Sequence, residues 1–290
     1  MKILKPVFIS SYMMLAVAIA ALSTWKLFSG GSALAWTGAL LTVAPVLHVF
    51  GRLMILKKEA RTSAHLPKVN GLAALGVASA ILAGIFGDAG WLPAVVAAAG
   101  WMGFLLYAYW YSHLDRTEDT RLEVGKRLPF FTLTNQEVDL VDSEILSAGP
   151  AIILFYRGNW CPVCMAQIKE LAARSAEFTA LGVRVALVSP QPFAHTVALA
   201  RKHAAASSLE FYTDKGNAAA RILGIDDRHG LPLGMQVLGY ASETVLPTLI
   251  ITDREGRVIW TDETENYRVR PEPDTYLNVL RESNLVPQAA

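Results

Sequence analysis

The sequence holds two cysteines, Cys161 and Cys164, three positions apart in Trp160-Cys161-Pro162-Val163-Cys164. That spacing has two chemical uses. One is half of a zinc site, which takes four ligands when structural, or three plus water when catalytic. No second cysteine pair exists, and His195, His203 and His229 show no paired ligand spacing. The other use is a dithiol–disulfide couple. Ala151 to Tyr156 is a continuous apolar run that suits a strand buried on both faces. Helical spacing begins at Pro162, which puts the pair at a strand-to-helix junction. There Cys161 meets unpaired backbone amides and the positive end of the helix dipole. Both lower a thiol pKa from its usual value of about 8.5. Arg157, four residues upstream, adds positive charge if the loop folds back. Cys164, one turn into the helix, can attack a mixed disulfide or a sulfenate formed on Cys161. Pro162 fits the first helical turn, where a missing N–H costs nothing. Trp160 is placed either to shield the sulfur or to pack. The chemistry needs no cofactor and no metal.

The elements that must hold this pair follow from residue patterning. Phe130–Leu133 and Val138–Val141 read as a hairpin, and Ala151–Tyr156 and Val183–Val188 as buried strands. Helical spacing covers Pro162 to Leu181 and is stopped by Gly182. Further helices are predicted at Phe193–Ala206, Gly216–Leu223 and Pro273–Ser283. Leu246–Thr252 and Val258–Trp260 are strands joined by the turn Asp253-Arg-Glu-Gly256. Strands alternating with helices imply an α/β unit, with a mostly parallel core and a hairpin at one edge. His229 reads as a loop residue. The glycine-rich insertion Leu231–Thr244 either caps the site or touches a membrane.

The rest of the chain has a different composition. Over the whole chain 53% of residues are hydrophobic and 18% charged, against roughly 25% charged in average soluble proteins. Residues 1–111 carry a net +6 and residues 112–290 a net −5, summing to the overall +1. Neither part has the basic excess of a nucleic-acid binder. Four stretches are long and apolar enough to span a bilayer: Pro6–Phe28, Ala33–Phe50 (running on toward Leu56), a shorter Asn70–Gly87, and Leu92–Tyr111. The lipid bilayer is therefore an expected partner. Arg52, Lys57, Lys58, Arg61 and Lys68 gather in the loop after the second span. The positive-inside rule then places that loop, the N-terminus and the C-terminal half on the cytoplasmic side; an odd number of spans would make the last periplasmic. A bacterial inner membrane is the expected location. Gly76, Ala80 and Gly84 form a small-residue stripe suited to helix packing. His48 lies within the second span, and Tyr107, Tyr109, Trp110 and Tyr111 are placed as an interfacial aromatic belt. No cysteine lies in residues 1–111, so this part cannot relay electrons by thiol exchange. The predicted organisation is a transmembrane helical domain over 1–111, a linker over 112–124 that includes Asp115, Arg116, Glu118 and Asp119, and a redox domain over 125–286.

Phe155-Tyr-Arg-Gly-Asn-Trp-Cys-Pro-Val-Cys164 resembles the signature of peroxiredoxin-like proteins of the AhpC/TSA redoxin group within the thioredoxin superfamily. Trp260 and Asn266-Tyr-Arg-Val-Arg-Pro-Glu-Pro273 resemble that group's tail, so the likeness covers about residues 122–285. It implies an α/β thioredoxin-like fold; residues 1–111 lie outside the likeness, and their apolar stretches place an all-α transmembrane helical domain of about four spans before it. It also implies antioxidant or thiol oxidoreductase activity, with a thioredoxin-type thiol reductant and a disulfide or hydroperoxide substrate. In thioredoxin-like proteins a cis-proline faces the cysteine pair; Pro247, followed by Thr248, holds that place here. Two positions depart from true peroxiredoxins. The Thr or Ser three residues before the nucleophile is Gly158, and the Pro seven before it is Leu154. The arginine of that family falls where Leu246 or Pro247 stands, which leaves Arg157 as its replacement. Three functions follow: a membrane-anchored thiol–disulfide oxidoreductase with Cys161 as nucleophile and Cys164 resolving, a thiol peroxidase, or a non-catalytic redox sensor.

Overall fold

The structure, a computed structural model, describes residues 2–56, 60–116, 121–203 and 208–287. Glu118 and Asp119 of the expected linker, and 204–206 of the expected helix Phe193–Ala206, lie outside the described residues. The chain divides into two compact units, Met1–Lys58 with Thr62–His113, and Glu59–Arg61 with Leu114–Ala290.

The first unit is built from α1 (Lys5–Phe28), α2 (Ala33–Gly51), α3 (Pro67–Phe86) and α4 (Leu92–Leu105). α2 and α4 continue as wider π-helical turns at Arg52–Leu56 and Leu106–Tyr111. Among the described residues four helices are long and apolar enough to cross a membrane: Lys5–Phe28, Ala33–Ile55, Pro67–Phe86 and Leu92–Tyr111. The third starts earlier than its apolar run suggests, because a proline is well placed in a first helical turn. Small residues let the backbones approach. A Cβ on Gly76 would strike the Gly38 carbonyl of α2, and one on Gly103 would enter the Tyr12 ring of α1. Ala80 is buried with Trp36, Ala39, Ala94 and Ala97. Gly84 instead faces Gly90 and Trp91 in the turn before α4. The expected aromatic belt is split. Tyr107 is fully buried, stacked on Tyr12 and Tyr111 at 6.4 and 5.9 Å, whereas Tyr109 is exposed. His48 lies on the exposed face of α2.

The second unit contains β1 (Thr132–Thr134), β2 (Leu140–Asp142), α5 (Ser143–Leu146), β3 (Ala151–Phe155), α6 (Pro162–Ala173), α7 (Ser175–Ala180), β4 (Arg184–Ser189) and α8 (Phe193–His203). It continues with β5 (Glu210–Thr213), α9 (Ala218–Leu223), β6 (Asp226–Asp227), β7 (Thr244–Val245), β8 (Thr248–Thr252), β9 (Val258–Asp262) and α10 (Pro273–Glu282). The sheet order is β2-β1-β5-β4-β3-β8-β9. β3, β4 and β5 run parallel, and every other pairing is antiparallel. This is a thioredoxin-like fold with a mixed sheet, and antiparallel hairpins close both edges rather than one.

Two further differences from the sequence reading have local causes. β5, not expected from the sequence, carries a weak signal, because charged Glu210 interrupts its short apolar stretch; its ladder runs along β4 and touches β1 only at Thr213. The predicted helix Pro162–Leu181 divides at Arg174. There the Ser175 hydroxyl turns back to the Ala172 carbonyl at 2.9 Å, a local bond that competes with helix continuation. One apolar cluster forms the core beside the sheet: Phe131, Leu133, Ile153, Phe155, Ala186, Val188, Leu223, Val245 and Ile250 pack together. The β3–β8 register pairs Phe155 with Thr248. Pro247 and the cysteine loop therefore emerge at the same edge of the sheet.

Candidate active site

β3 ends at Phe155, and the chain turns through Tyr156–Trp160 before α6 begins. Cys161 is the N-cap of α6, and its sulfur accepts the backbone N–H of Cys164 at 3.4 Å. The cap position thus gives the sulfur one of the donors a helix start leaves unpaired. The two Sγ atoms stand 2.7 Å apart as free thiols. Both cysteines are 1% exposed.

Burial alone would push the Cys161 thiol up. The hydrogen bond from the Cys164 side chain, the Arg157 charge, the Cys164 amide and the Arg270 charge outweigh it, lowering the pKa from 9.0 to about 6. Burial, the same sulfur–sulfur hydrogen bond and the nearby Cys161 charge push Cys164 well up. One sulfur is thus held as a thiolate and the other as its proton donor, which suits a nucleophile and a resolving thiol.

Arg157 does fold back. Its guanidinium lies 4.7 Å over the Trp160 ring and 5.7 Å from the Tyr267 ring, and its Nη2 donates to the Gly230 carbonyl. Trp160 packs on Arg157 and leans over Gly158, and its buried Nε1 has no hydrogen-bond partner among the described residues. Gly158 has φ +140°, and a Cβ there would come within 2.9 Å of Trp160 Nε1. The backbone and the indole therefore exclude the Thr or Ser of true peroxiredoxins. Pro162 opens α6 as expected.

Pro247 departs from expectation. Among the described residues no peptide bond is cis. Its carbonyl accepts Arg116 Nη2 at 2.5 Å, and the Thr248 hydroxyl accepts Arg116 Nη1 at 3.1 Å. The edge that the cis-proline reading left open to a substrate backbone is held by a side chain of this chain. Burial lowers the Arg116 pKa to about 10, against the raising influence of Glu263 and other acids.

The sequence reading missed three contributors. Arg116 was assigned to a linker. Arg270 was noted only as part of the tail motif, yet it is 4% exposed and its charge favours both thiolates. Its Nε and Nη2 have no hydrogen-bond partner among the described residues. Gln191, after β4, accepts the Asn159 amide at 2.8 Å and donates to the Tyr156 hydroxyl at 3.0 Å, which fixes the loop before the cysteines. No local sequence signal marks Gln191. The tail motif did mark Arg270.

Residues 124–261 match the AhpC/TSA family. Similar solved structures include peroxidoxin BcpB from Mycobacterium tuberculosis, with TM-score 0.46 and 20% identity over 56% of this chain and 98% of that one. A peroxiredoxin-like protein from Aquifex aeolicus gives TM-score 0.47 and 18% identity over 57% of this chain and 88% of that one. AhpC from Enterococcus faecalis gives TM-score 0.46 and 16% identity over 58% and 98%. No curated protein matches the sequence. The region 124–261 matches an AhpC/TSA redoxin domain, and the chain joins it to an N-terminal region with four long apolar helices among the described residues.

Proposed function

We propose that the chain is a membrane-anchored thiol–disulfide oxidoreductase. The adjacency of a thiolate-favouring Cys161 at a helix start and a protonated Cys164 one turn on carries this reading. The Cys161 thiolate attacks a substrate disulfide, forms a mixed disulfide and expels one thiolate. Cys164 loses its proton, attacks Cys161 Sγ and expels the second thiolate. The pair ends as a disulfide, two electrons have passed to the substrate, and a thioredoxin-type thiol donor restores the dithiol. Arg157, Trp160, Pro162, Pro247 and Thr248 support the site, and Arg270 and Arg116 join them. The four apolar helices support the anchoring, and the loop cations, by the positive-inside rule, favour a redoxin domain on the cytoplasmic side.

The family match favours a second reading, a thiol peroxidase. The Cys161 thiolate would take the terminal oxygen of a hydroperoxide, releasing the alcohol, and Cys164 would displace water from the sulfenic acid. Turnover of the purified full chain with a thioredoxin reducing system decides between them. Reduction of a small disulfide without peroxide consumption supports the first reading. Peroxide consumption at the greater rate supports the second. A pair that titrates yet turns over neither leaves a redox sensor.

A further inference from the structure

From Gly230 to Ser242 the chain runs thirteen residues without a charged side chain. Met235–Leu238 forms one 3-10 turn between Gly234 (φ 99°) and Gly239 (φ 85°), and none of its residues is buried. Leu233, Val237 and Leu238 are 55%, 89% and 58% exposed. Three large aliphatic side chains on one uncharged turn are a poor face for water. Both ends of the segment are fastened to the cysteine loop. The Gly230 carbonyl accepts Arg157. The Tyr240 ring sits 4.8 Å from that of His195, whose carbonyl accepts Asn159 Nδ2 at 3.2 Å. The apolar tip is therefore carried by the frame that holds Cys161.

The covalent chain limits where that frame can be. Tyr111 ends the fourth apolar helix, and Arg116, bonded to Pro247 and Thr248, follows five residues later. Five extended residues reach about 18 Å. If the fourth helix spans a bilayer, the covalent chain tethers Arg116 within that reach of its end.

We propose that the turn carrying Leu233, Val237 and Leu238 inserts into the membrane interface, so that the redoxin domain docks on the lipid surface and takes an oxidised substrate dissolved in it. The inference rests on the membrane-anchored reading above. An uncharged aliphatic tip suits the headgroup–acyl boundary.

The test uses the full chain with Cys161→Ser and Cys164→Ser, labelled through Val237→Cys with an environment-sensitive fluorophore and reconstituted in phosphatidylcholine–phosphatidylglycerol nanodiscs. Met14→Cys, exposed on α1, is the reference position. Insertion gives blue-shifted emission at 237, quenching by nitroxide-labelled lipid and protection from iodide. Iodide quenching at 237 without nitroxide quenching, while position 14 is quenched by lipid, overturns the docking and leaves the anchor standing. Loss of lipid quenching at position 14 overturns the anchor and the docking with it. A blue shift at 237 that depends on protein concentration and not on nitroxide assigns the turn to a second copy and also overturns the proposal. In the active full chain, Val237→Asp slows reduction of a disulfide carried on a lipid in vesicles by about tenfold, as loss of interfacial partitioning requires. Its rate with a water-soluble disulfide stays unchanged. An equal effect on both substrates overturns the proposal.

Discussion

Arg61 Nε donates to the backbone carbonyl of Arg270 at 3.1 Å. The same guanidinium pairs with Glu170 on α6 and reaches the Pro271 carbonyl at 3.3 Å. The Tyr276 hydroxyl donates to that Pro271 carbonyl as well, at 3.1 Å. The stretch bearing Arg270 is thus clamped to the helix that begins at Cys161. Replacing Arg61 by alanine should release Arg270 from the thiols and raise the midpoint of Cys161 alkylation above about 6. Arg61→Lys, which keeps the charge beside Glu170 but loses the fork, should fall between. Iodoacetamide rates across pH 4 to 9 measure the midpoint. An unmoved midpoint in Arg61→Ala would show that Arg270 needs no clamp.

The wild-type midpoint is itself a prediction. Alkylation of Cys161 should rise about tenfold per pH unit below the midpoint and level off above it, with the midpoint at about 6. Cys164→Ala removes the donor hydrogen bond and should move it upward. The sign for stability follows from the depressed pKa. The reduced protein should gain unfolding free energy as pH rises from about 6 to 9 and lose it as pH falls through about 6. Urea titrations of the reduced protein at several pH values test this.

Gly158→Thr would supply the hydroxyl that true peroxiredoxins carry. It meets Trp160 Nε1 and a φ of +140°, so the variant should lose about 1–3 kcal/mol of stability and gain no peroxidase activity. Thermal unfolding and peroxide consumption of the same preparation check both parts. A stable, faster peroxidase would overturn this account of the loop.

Gly76→Leu should separate α2 from α3, because its Cβ already collides with the Gly38 carbonyl. Overpacking of this kind costs about 1–3 kcal/mol. A lowered melting temperature in detergent, with Cys161 alkylation unchanged, is the expected result.

Much of this molecule is legible in one dimension. Apolar length marks the four helices. The Ala151–Phe155 run and the helical spacing from Pro162 mark the strand–helix junction that holds the cysteines. What is not legible depends on contacts remote in sequence. Arg116 looks like a solvated linker charge until Pro247 and Thr248 are beside it. Gln191 carries no pattern, because its worth lies in Asn159 and Tyr156, over thirty residues upstream. The cis form expected at Pro247 came from analogy, and no residue pattern could separate it from trans.

The assignment of Glu59–Arg61 to the redoxin unit has a consequence for inheritance. That unit is encoded in two stretches of the gene, with the codons for α3 and α4 between them. A single recombination crossover cannot move the whole redoxin unit without carrying α3 and α4 along with it. A transfer at the boundary after the fourth helix leaves Arg61 behind, and the recipient must already supply an equivalent cation for Glu170 and the Arg270 carbonyl.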